Sequence, residues 1–135
     1  MIKKATFSLE HYSFDEVYLN LKNVKEANLA LEFAPKGKFL KKKKEFQLDF
    51  VFNANLKNKK VIMVSCNALF RFTDISSFEE IPSYFFPNSI AIIFPYVRAM
   101  VSTLTLQANV KPVVLPTMNL SSLQEQLKNN TQIID

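Results

Sequence analysis

The sequence predicts an α+β fold: a four-stranded antiparallel sheet, one long kinked helix packed on it, and a short C-terminal helix, in one domain spanning residues 1–135. Three observations support this prediction. Apolar and polar residues alternate through most of residues 5–72, an almost uncharged run follows at 81–110, and a short amphipathic pattern comes after it. A chain of 135 residues is also long enough to bury its own core.

The first strand is predicted at residues 5–21, where the apolar positions change parity twice. The change comes once after Leu9 and again after Phe14. A one-residue slip within a strand indicates a β-bulge, so we expect bulges near His11 and near Asp15.

The second strand is predicted at residues 27–33 and is expected to end where Pro35, Gly37 and several lysines interrupt the pattern. Much of the formal net charge of +5 comes from these lysines, which include Lys41–Lys44. No aromatic residues are interleaved with them as in an RNA-binding sheet, so we interpret them as solvated loop charge.

The third and fourth strands show the clearest alternation and are predicted to form an antiparallel hairpin around the turn Lys57–Lys60. Asn58 is the turn residue that best tolerates a positive φ. The residues expected to face inward are Phe46, Leu48, Phe50, Phe52, Ala54, Leu56, Ile62, Val64, Cys66, Ala68, Phe70 and Phe72.

The long helix is predicted to begin at Asn88 or Ser89, which are good N-caps. Pro95 then indicates that the helix is either kinked at Phe94 or begins there. Residues 90–110 are long enough to cross a membrane, but Arg98, the proline and four hydroxyl or amide side chains argue against it. We therefore expect a helix buried between its own sheet and a partner.

An extended connection is predicted from Val110 to Pro116 because its prolines are incompatible with regular helix. A short helix then opens with a capping box from Ser121 to Gln124. The tail from Lys128 is polar and is expected to be frayed.

Composition argues against several kinds of chemistry. Gly37 is the single glycine, so no glycine-rich phosphate loop is present, and Cys66 is the single cysteine, which excludes an internal disulfide and a CxxC metal site. His11, Asp49 and Arg98 are polar candidates for an enzyme or ligand site, but no spacing unites them. We expect no cofactor and no metal, and a cytoplasmic protein because no signal peptide is seen.

The order of elements and the segment Phe94-Pro95-Tyr96-Val97-Arg98 resemble the SecB family of bacterial protein-export chaperones. Pro87-Asn88 and Ile93–Arg98 are similar to that family's P-N-I-L-F-P-Y-A-R. Val113–Leu115 and Met118–Leu123 are similar to its L-N-L and V-N-F-D-A-L, and Ala68–Phe72 to its G-I-F-x-I strand. The resemblance covers about residues 6–127.

The resemblance implies an ATP-independent holdase that binds unfolded or pre-secretory polypeptides, assembled as a homotetramer that is a dimer of dimers. The residues it suggests for client binding are Phe85, Phe86, Val113, Leu115, Leu120, Leu123 and Leu127. Those it suggests for the oligomer interface are Phe94, Tyr96, Val97, Arg98, Met100, Val101 and Leu104. We expect Arg98 to find an acceptor in Glu79, Glu80 or an acid of a partner chain.

The sequence departs from the family at several positions. The long aromatic crossover after the first strand is reduced to Asn20–Glu26, and the family's glycine after the long helix is Ala108. Well-known members are acidic and dock the SecA motor, whereas this chain is basic. Of the docking acids, Glu16 matches, the strand acid falls on Met63 or Ser65, and a neighbouring acid falls on Asn20.

Other functions stay open from the sequence. Within the same fold, the chain could serve one dedicated client, such as the antitoxin of a toxin–antitoxin–chaperone system. A small-ligand protein using the aromatic interior, or a nucleic-acid-binding protein using Lys41–Lys44 and Lys57–Lys60, are alternatives of other classes.

Overall fold

The computed structural model describes residues 6–20, 22, 29–116, 119 and 121–135, which form an α+β fold. The strands are β1 (Phe7–Leu19), β2 (Ala30–Leu40), β3 (Glu45–Leu56), β4 (Lys59–Phe72) and β5 (Thr131–Ile134), and the helices are α1 (Phe85–Gln107) and α2 (Ser121–Asn129). The order across the sheet is β1-β4-β3-β2-β5. The shortened crossover after the first strand lies outside the described residues, apart from Asn20 and Lys22.

Strand β1 pairs antiparallel with β4 and contains both predicted bulges. The register shifts between Leu9 and His11 and again between Phe14 and Glu16. Both shifts follow from the changes of parity in the sequence, because each bulge returns the apolar side chains to the face that α1 covers.

The β3–β4 hairpin is confirmed. Lys57 and Asn58 have φ of 50° and 66°, as a two-residue turn of the primed type requires. All the residues predicted to face inward on these two strands are buried, except Leu56, which is half-buried.

The prediction that β2 ends before Pro35 is wrong, since the strand continues to Leu40. The backbone N–H of Gly37 points away from β3, where it donates to the Asn130 carbonyl at 3.1 Å. Pro35 lies two residues before Gly37, so its backbone nitrogen also points away from β3. Its missing N–H therefore removes no hydrogen bond to β3. A Cβ on Gly37 would lie 2.8 Å from both Phe46 Cε1 and Thr131 Oγ1, so the single glycine occupies a position that has no room for a side chain.

The sheet has five strands and is mixed, in place of the four antiparallel strands predicted. Strand β5 pairs parallel to β2, with Gly37 opposite Thr131 and Leu40 opposite Ile134. The expectation of a frayed tail from Lys128 is therefore wrong, since α2 continues to Asn129 and β5 follows at Thr131. Four residues are too few for a period-two pattern to be recognised, and the pairing depends on a partner strand far away in the sequence.

Helix α1 begins at Phe85 and not at Asn88 or Ser89. Pro87 falls in the first turn, where the backbone N–H groups have no intrahelical partner, so a proline is tolerated there. Pro95 lies inside the helix, as predicted, and the kink at Phe94 stays a prediction.

The inner side of α1 packs against the sheet through residues spaced three or four apart: Phe85, Phe86, Ser89, Ile90, Ile93, Val97, Val101 and Thr105. The ring of Phe85 is central, with ring centroids 4.8 Å from those of Phe46 and Phe72 and 5.5 Å from that of Phe70. The core therefore lies between α1 and the middle of the sheet.

The end of α1 does not require a glycine at residue 108. Ala108 has φ of −75°, which any residue adopts, and Asn109 takes the left-handed conformation with φ of 62°. Asparagine is one of the residues that tolerate this conformation.

Helix α2 is confirmed, although the predicted capping box is displaced. Ser121 is the first helical residue and not the cap, and its backbone N–H donates to Asn119 Oδ1 at 3.1 Å. Leu123 and Leu127 are buried as predicted, and Leu120 lies outside the described residues.

Candidate functional site

An open apolar groove of about 240 Å³ lies between β1 and the outer part of α1, and we call it the β1–α1 groove. Tyr12 and Phe14 line it from the segment of β1 between the two bulges. The helix contributes residues at spacings of three and four: Tyr96, Ala99, Met100 and Thr103. The bulges therefore determine which side chains of β1 reach the groove.

The ring of Tyr12 stacks on the ring of Tyr96, with centroids 4.1 Å apart and planes at 25°. Both side chains are nevertheless 38% exposed. Ala99, which has a small side chain, and the half-buried Met100 also line the groove. No lining residue is charged, so the groove can accept apolar side chains of varied shape.

Further apolar side chains are exposed outside this groove. Val17 on β1 and Ile92 and Leu106 on α1 are all exposed. A surface of this kind is typical of proteins that bind polypeptide or further subunits.

The residues predicted for an oligomer interface divide between two sides of α1. Val97 and Val101 are buried against the sheet, while Tyr96 and Arg98 are exposed. The remaining three are half-buried: Phe94, Met100 and Leu104. Only part of the predicted set therefore faces outward.

Arg98 does not pair with the acceptors expected within the chain. It has no carboxylate of the described residues within 4.0 Å. Glu80 accepts instead from the Ser76 backbone N–H and the Ser77 hydroxyl, each at 3.4 Å. An acid of a partner chain remains the predicted acceptor for Arg98.

The residues predicted to bind clients lie mostly inside the chain. Phe85, Phe86, Leu115, Leu123 and Leu127 are buried, and Val113 is half-buried. In this arrangement they hold α1, α2 and the connection against the sheet, and a client could reach them only if these elements moved. Sequence reasoning missed the groove residues of β1, although the parity slips were a signal that could have identified them.

Two acidic residues of β1, Asp15 and Glu16, are exposed. Glu16 lies opposite Ser65, and the neighbouring Met63 is buried. Hydrogen bonding from the side chains of Asn67 and Ser65 lowers the pKa of Asp15. Asp15 and Glu16 are thus the carboxylates that this part of β1 presents.

The sheet face opposite α1 is polar and carries an open cavity of about 550 Å³ beside β5. Lys36 and Lys38 of β2, Asp49 of β3 and Gln132 of β5 line it, together with the segment Asn129–Asn130. Burial raises the pKa of Asp49, although Lys38 and Lys36 oppose the shift. This is a second surface, with excess positive charge.

The remaining reactive side chains do not form a catalytic arrangement in the part of the chain that the structure describes. Burial raises the pKa of Cys66 to about 11, which keeps the thiol protonated and unreactive at neutral pH. His11 is exposed, and no cluster of three His, Cys, Asp or Glu residues suits a metal ion among these residues. Arg71 pairs with Glu45 at 3.3 Å and with Glu10 at 3.9 Å.

Helix α1 has the length and apolar composition that a membrane span requires. Its inner residues are packed on the sheet, as in the core helix of a globular protein. The membrane interpretation therefore gains no support from the packing of this helix.

Comparison with known proteins connects this architecture to one family. The model of the family described as preprotein translocase subunit SecB matches residues 4–131. An uncharacterised protein of Methanocaldococcus jannaschii is 47% identical over 49 residues, a match that covers 33% of this chain and 32% of that protein.

Two solved structures are also similar. The SecB-like chaperone of Mycobacterium tuberculosis, in complex with a ChAD peptide from an antitoxin, aligns with a TM-score of 0.63 and 17% identity, covering 84% of this chain and 91% of that one. A protein of unknown function from Streptococcus agalactiae aligns with a TM-score of 0.45 and 11% identity, covering 82% of this chain and 97% of that one. The first similarity supports the fold.

Proposed function

Because the chain belongs to the SecB family, it is a chaperone, and we propose that it holds unfolded polypeptides without ATP until they are exported or folded. Such a holdase binds the unfolded chain through exposed apolar surface, and this binding competes with aggregation. The mechanism needs no catalytic group and no cofactor.

The β1–α1 groove is the observation that carries this proposal. Its aromatic rings, thioether and small side chains offer apolar contact without charge, and the rings of Tyr12 and Tyr96 stack on each other among them. Adaptable apolar contacts of this kind permit many client sequences. We therefore place client binding in the groove, in preference to the interior residues that the family resemblance suggested.

The outer side of α1 supports the proposed assembly as a homotetramer. Outside the β1–α1 groove, Ile92 and Leu106 are exposed along it, and Arg98 is an exposed charged residue of the same helix. A second copy of the chain would cover this apolar strip and could supply an acid to Arg98.

A chaperone dedicated to one client, such as an antitoxin, is the second candidate. The similarity to a SecB-like chaperone in complex with an antitoxin peptide supports it. The positions that correspond to the SecA-docking acids of the family also favour a dedicated client. Met63 is buried and Ser65 carries no charge, so Glu16 alone would contact a SecA-type motor. Either kind of client would be met in the cytoplasm.

The proposal is tested by light scattering from a client that unfolds and aggregates on warming, in the absence of ATP. We expect the wild-type protein to suppress aggregation at stoichiometric amounts. Tyr96→Ala should weaken suppression because it removes half of the stacked pair, whereas Tyr18→Ala, at an exposed tyrosine of β1 outside the groove, should not. A wild-type protein that leaves scattering unchanged would argue against a holdase.

The two candidates differ in the range of clients. A general holdase suppresses aggregation of several unrelated proteins, and a dedicated one acts on a single partner only. The mass in solution tests the assembly: Arg98→Ala should lower the fraction of tetramer, and Lys60→Ala, a change of the same charge on the β3–β4 hairpin, should leave it unchanged.

A further inference from the structure

Strand β5 leaves an open edge on the mixed sheet. In the described part of the chain it pairs only with β2, so its other side has no strand neighbour. An unpaired edge presents a row of backbone donors and acceptors to which an extended polypeptide can add.

The hydrogen bonds of β5 identify which of its backbone groups are free. The carbonyls of Asn130 and Ile134 point toward β2, where they accept from Gly37 N–H at 3.1 Å and Lys41 N–H at 2.9 Å. Backbone groups alternate along a strand, so those of Thr131 and Ile133 point to the open side. The Ile133 side chain is 53% exposed beside them.

Lysines surround this edge. Lys36 and Lys38 line the polar cavity beside β5, and the turn that follows β2 adds Lys41–Lys44. None of these side chains lies within 4.0 Å of a carboxylate of the described residues. The acids nearby are Asp49 in the cavity and Asp135 beside Lys41 and Lys44. The edge is therefore basic, and an acidic partner complements it.

We propose that the open edge of β5 binds acidic, extended segments of client polypeptides as an added strand, with client carboxylates beside Lys36 and Lys38. The inference rests on the proposed chaperone function and adds to it a class of client segment. Backbone pairing supplies affinity that does not depend on sequence, and the lysines select acidic segments. The β1–α1 groove, which lacks charge, would hold the apolar segments of the same client.

The first experiment compares two fluorescent peptides of about eight residues, one alternating valine and glutamate and the other alternating valine and lysine. Binding to the full-length protein is followed by anisotropy at low salt. We expect the acidic peptide to bind about tenfold more tightly, with an advantage that salt reduces. Equal affinity for the two peptides would overturn the proposal.

The second experiment separates the backbone edge from the side chain. Ile133→Pro removes an N–H that points to the open side and no hydrogen bond to β2, and Ile133→Ala keeps that N–H. We expect the proline variant to bind the acidic peptide about tenfold more weakly and the alanine variant within about threefold of wild type. If the two variants bind equally, strand addition at this edge is excluded.

The third comparison tests whether the charge acts locally. Lys36→Glu with Lys38→Glu should abolish the preference for the acidic peptide, and Lys57→Glu with Lys59→Glu, which changes net charge equally at the far hairpin, should preserve it. If both double variants lose the preference for the acidic peptide, net charge alone explains that preference. This result would contradict a binding site beside β5.

Circular dichroism should be used to check that each variant is folded. The light-scattering assay of the wild-type protein is read separately. Suppression of aggregation without any preference for the acidic peptide would overturn this inference alone, and no suppression would overturn the chaperone function.

Discussion

The side-chain oxygen of Thr105 accepts a hydrogen bond of 2.9 Å from the backbone N–H of Val113. Thr105 lies in the last turns of α1 and is buried, and Val113 lies in the extended connection that follows the helix. The threonine hydroxyl in turn donates to the Val101 carbonyl at 2.9 Å, and Ser102 Oγ donates to the Val113 carbonyl at 3.2 Å. Two side chains of α1 thus bind both backbone groups of Val113.

Thr105→Val should destabilise the protein by about 1–3 kcal/mol, because the Val113 N–H loses its acceptor in a place that water does not easily reach. Urea denaturation measures the change in the free energy of unfolding. Thr103→Val is the matched control, since Thr103 is exposed on the same helix, and it should cost less than about 0.5 kcal/mol. Equal costs for the two changes would show that the hydrogen bond contributes little.

Gly37→Ala should lower the free energy of unfolding by about 1–3 kcal/mol, because the new methyl group would overlap the Phe46 ring and Thr131 Oγ1. The strain falls where β5 joins β2, so amide exchange in β5 should also become faster. Lys38→Ala, at the next and exposed position, serves as the control. Unchanged exchange at Thr131–Ile134 would contradict this account.

Asp49→Asn and Asp15→Asn should have opposite effects on stability at neutral pH. Burial raises the pKa of Asp49, so its contribution is fully present below the ordinary value of 3.8 and is lost as the pH rises through its raised pKa. Hydrogen bonds lower the pKa of Asp15, so its contribution is present above 3.8 and is lost as the pH falls. At neutral pH the first variant should therefore be more stable than wild type and the second less stable.

Denaturation midpoints at neutral and acidic pH test this pair. Both differences from wild type should shrink as the carboxylates become protonated on acidification. Differences of the same sign at neutral pH would contradict the assignment for one of the two residues. Asp49→Asn should also strengthen binding of the acidic peptide, because it removes the carboxylate beside Lys36 and Lys38.

The Cys66 thiol should react slowly with alkylating reagents in the native protein, because it is buried and its pKa is raised to about 11. The raised pKa also makes a prediction about stability. The stabilisation from the neutral thiol is complete below the ordinary pKa of 9.0 and is lost as the pH rises toward about 11.

Cys66→Ala is the reference for this effect, since it lacks the thiol and keeps the other titrating groups. As the pH rises from 9.0 to about 11, the free energy of unfolding of wild type should fall relative to that of Cys66→Ala. Fast alkylation at neutral pH without unfolding would show that the thiol is accessible.

The central sheet could be predicted from the sequence because its evidence is local. The hairpin turn depends on neighbouring residues such as Asn58, and each bulge of β1 appears as a change of parity within a few positions. The segment Phe94–Arg98 identified the family for the same reason, since it is a short contiguous motif.

The features that could not be predicted depend on residues distant in the sequence. From the sequence alone, Gly37 is predicted to interrupt a strand. Its contacts with Phe46 and Thr131, which leave no room for a side chain, are seen only in the folded chain. The stacking of Tyr12 on Tyr96 needs both the register of β1 and the position of α1, and neither residue alone indicates a groove. The burial of Phe85 and Leu127 likewise depends on how the helices pack on the sheet, which no local pattern indicates.

The parallel pairing of β5 with β2 also bears on the order in which the chain folds. Strands β2, β3 and β4 follow one another and can pair through short turns, whereas β5 meets β2 only after the hairpin, α1 and α2 have brought it alongside. Pairings between distant segments carry the larger loop-closure entropy and form late. We therefore expect the edge at β5 to be the last part of the sheet to close during folding and the first to open in the native protein.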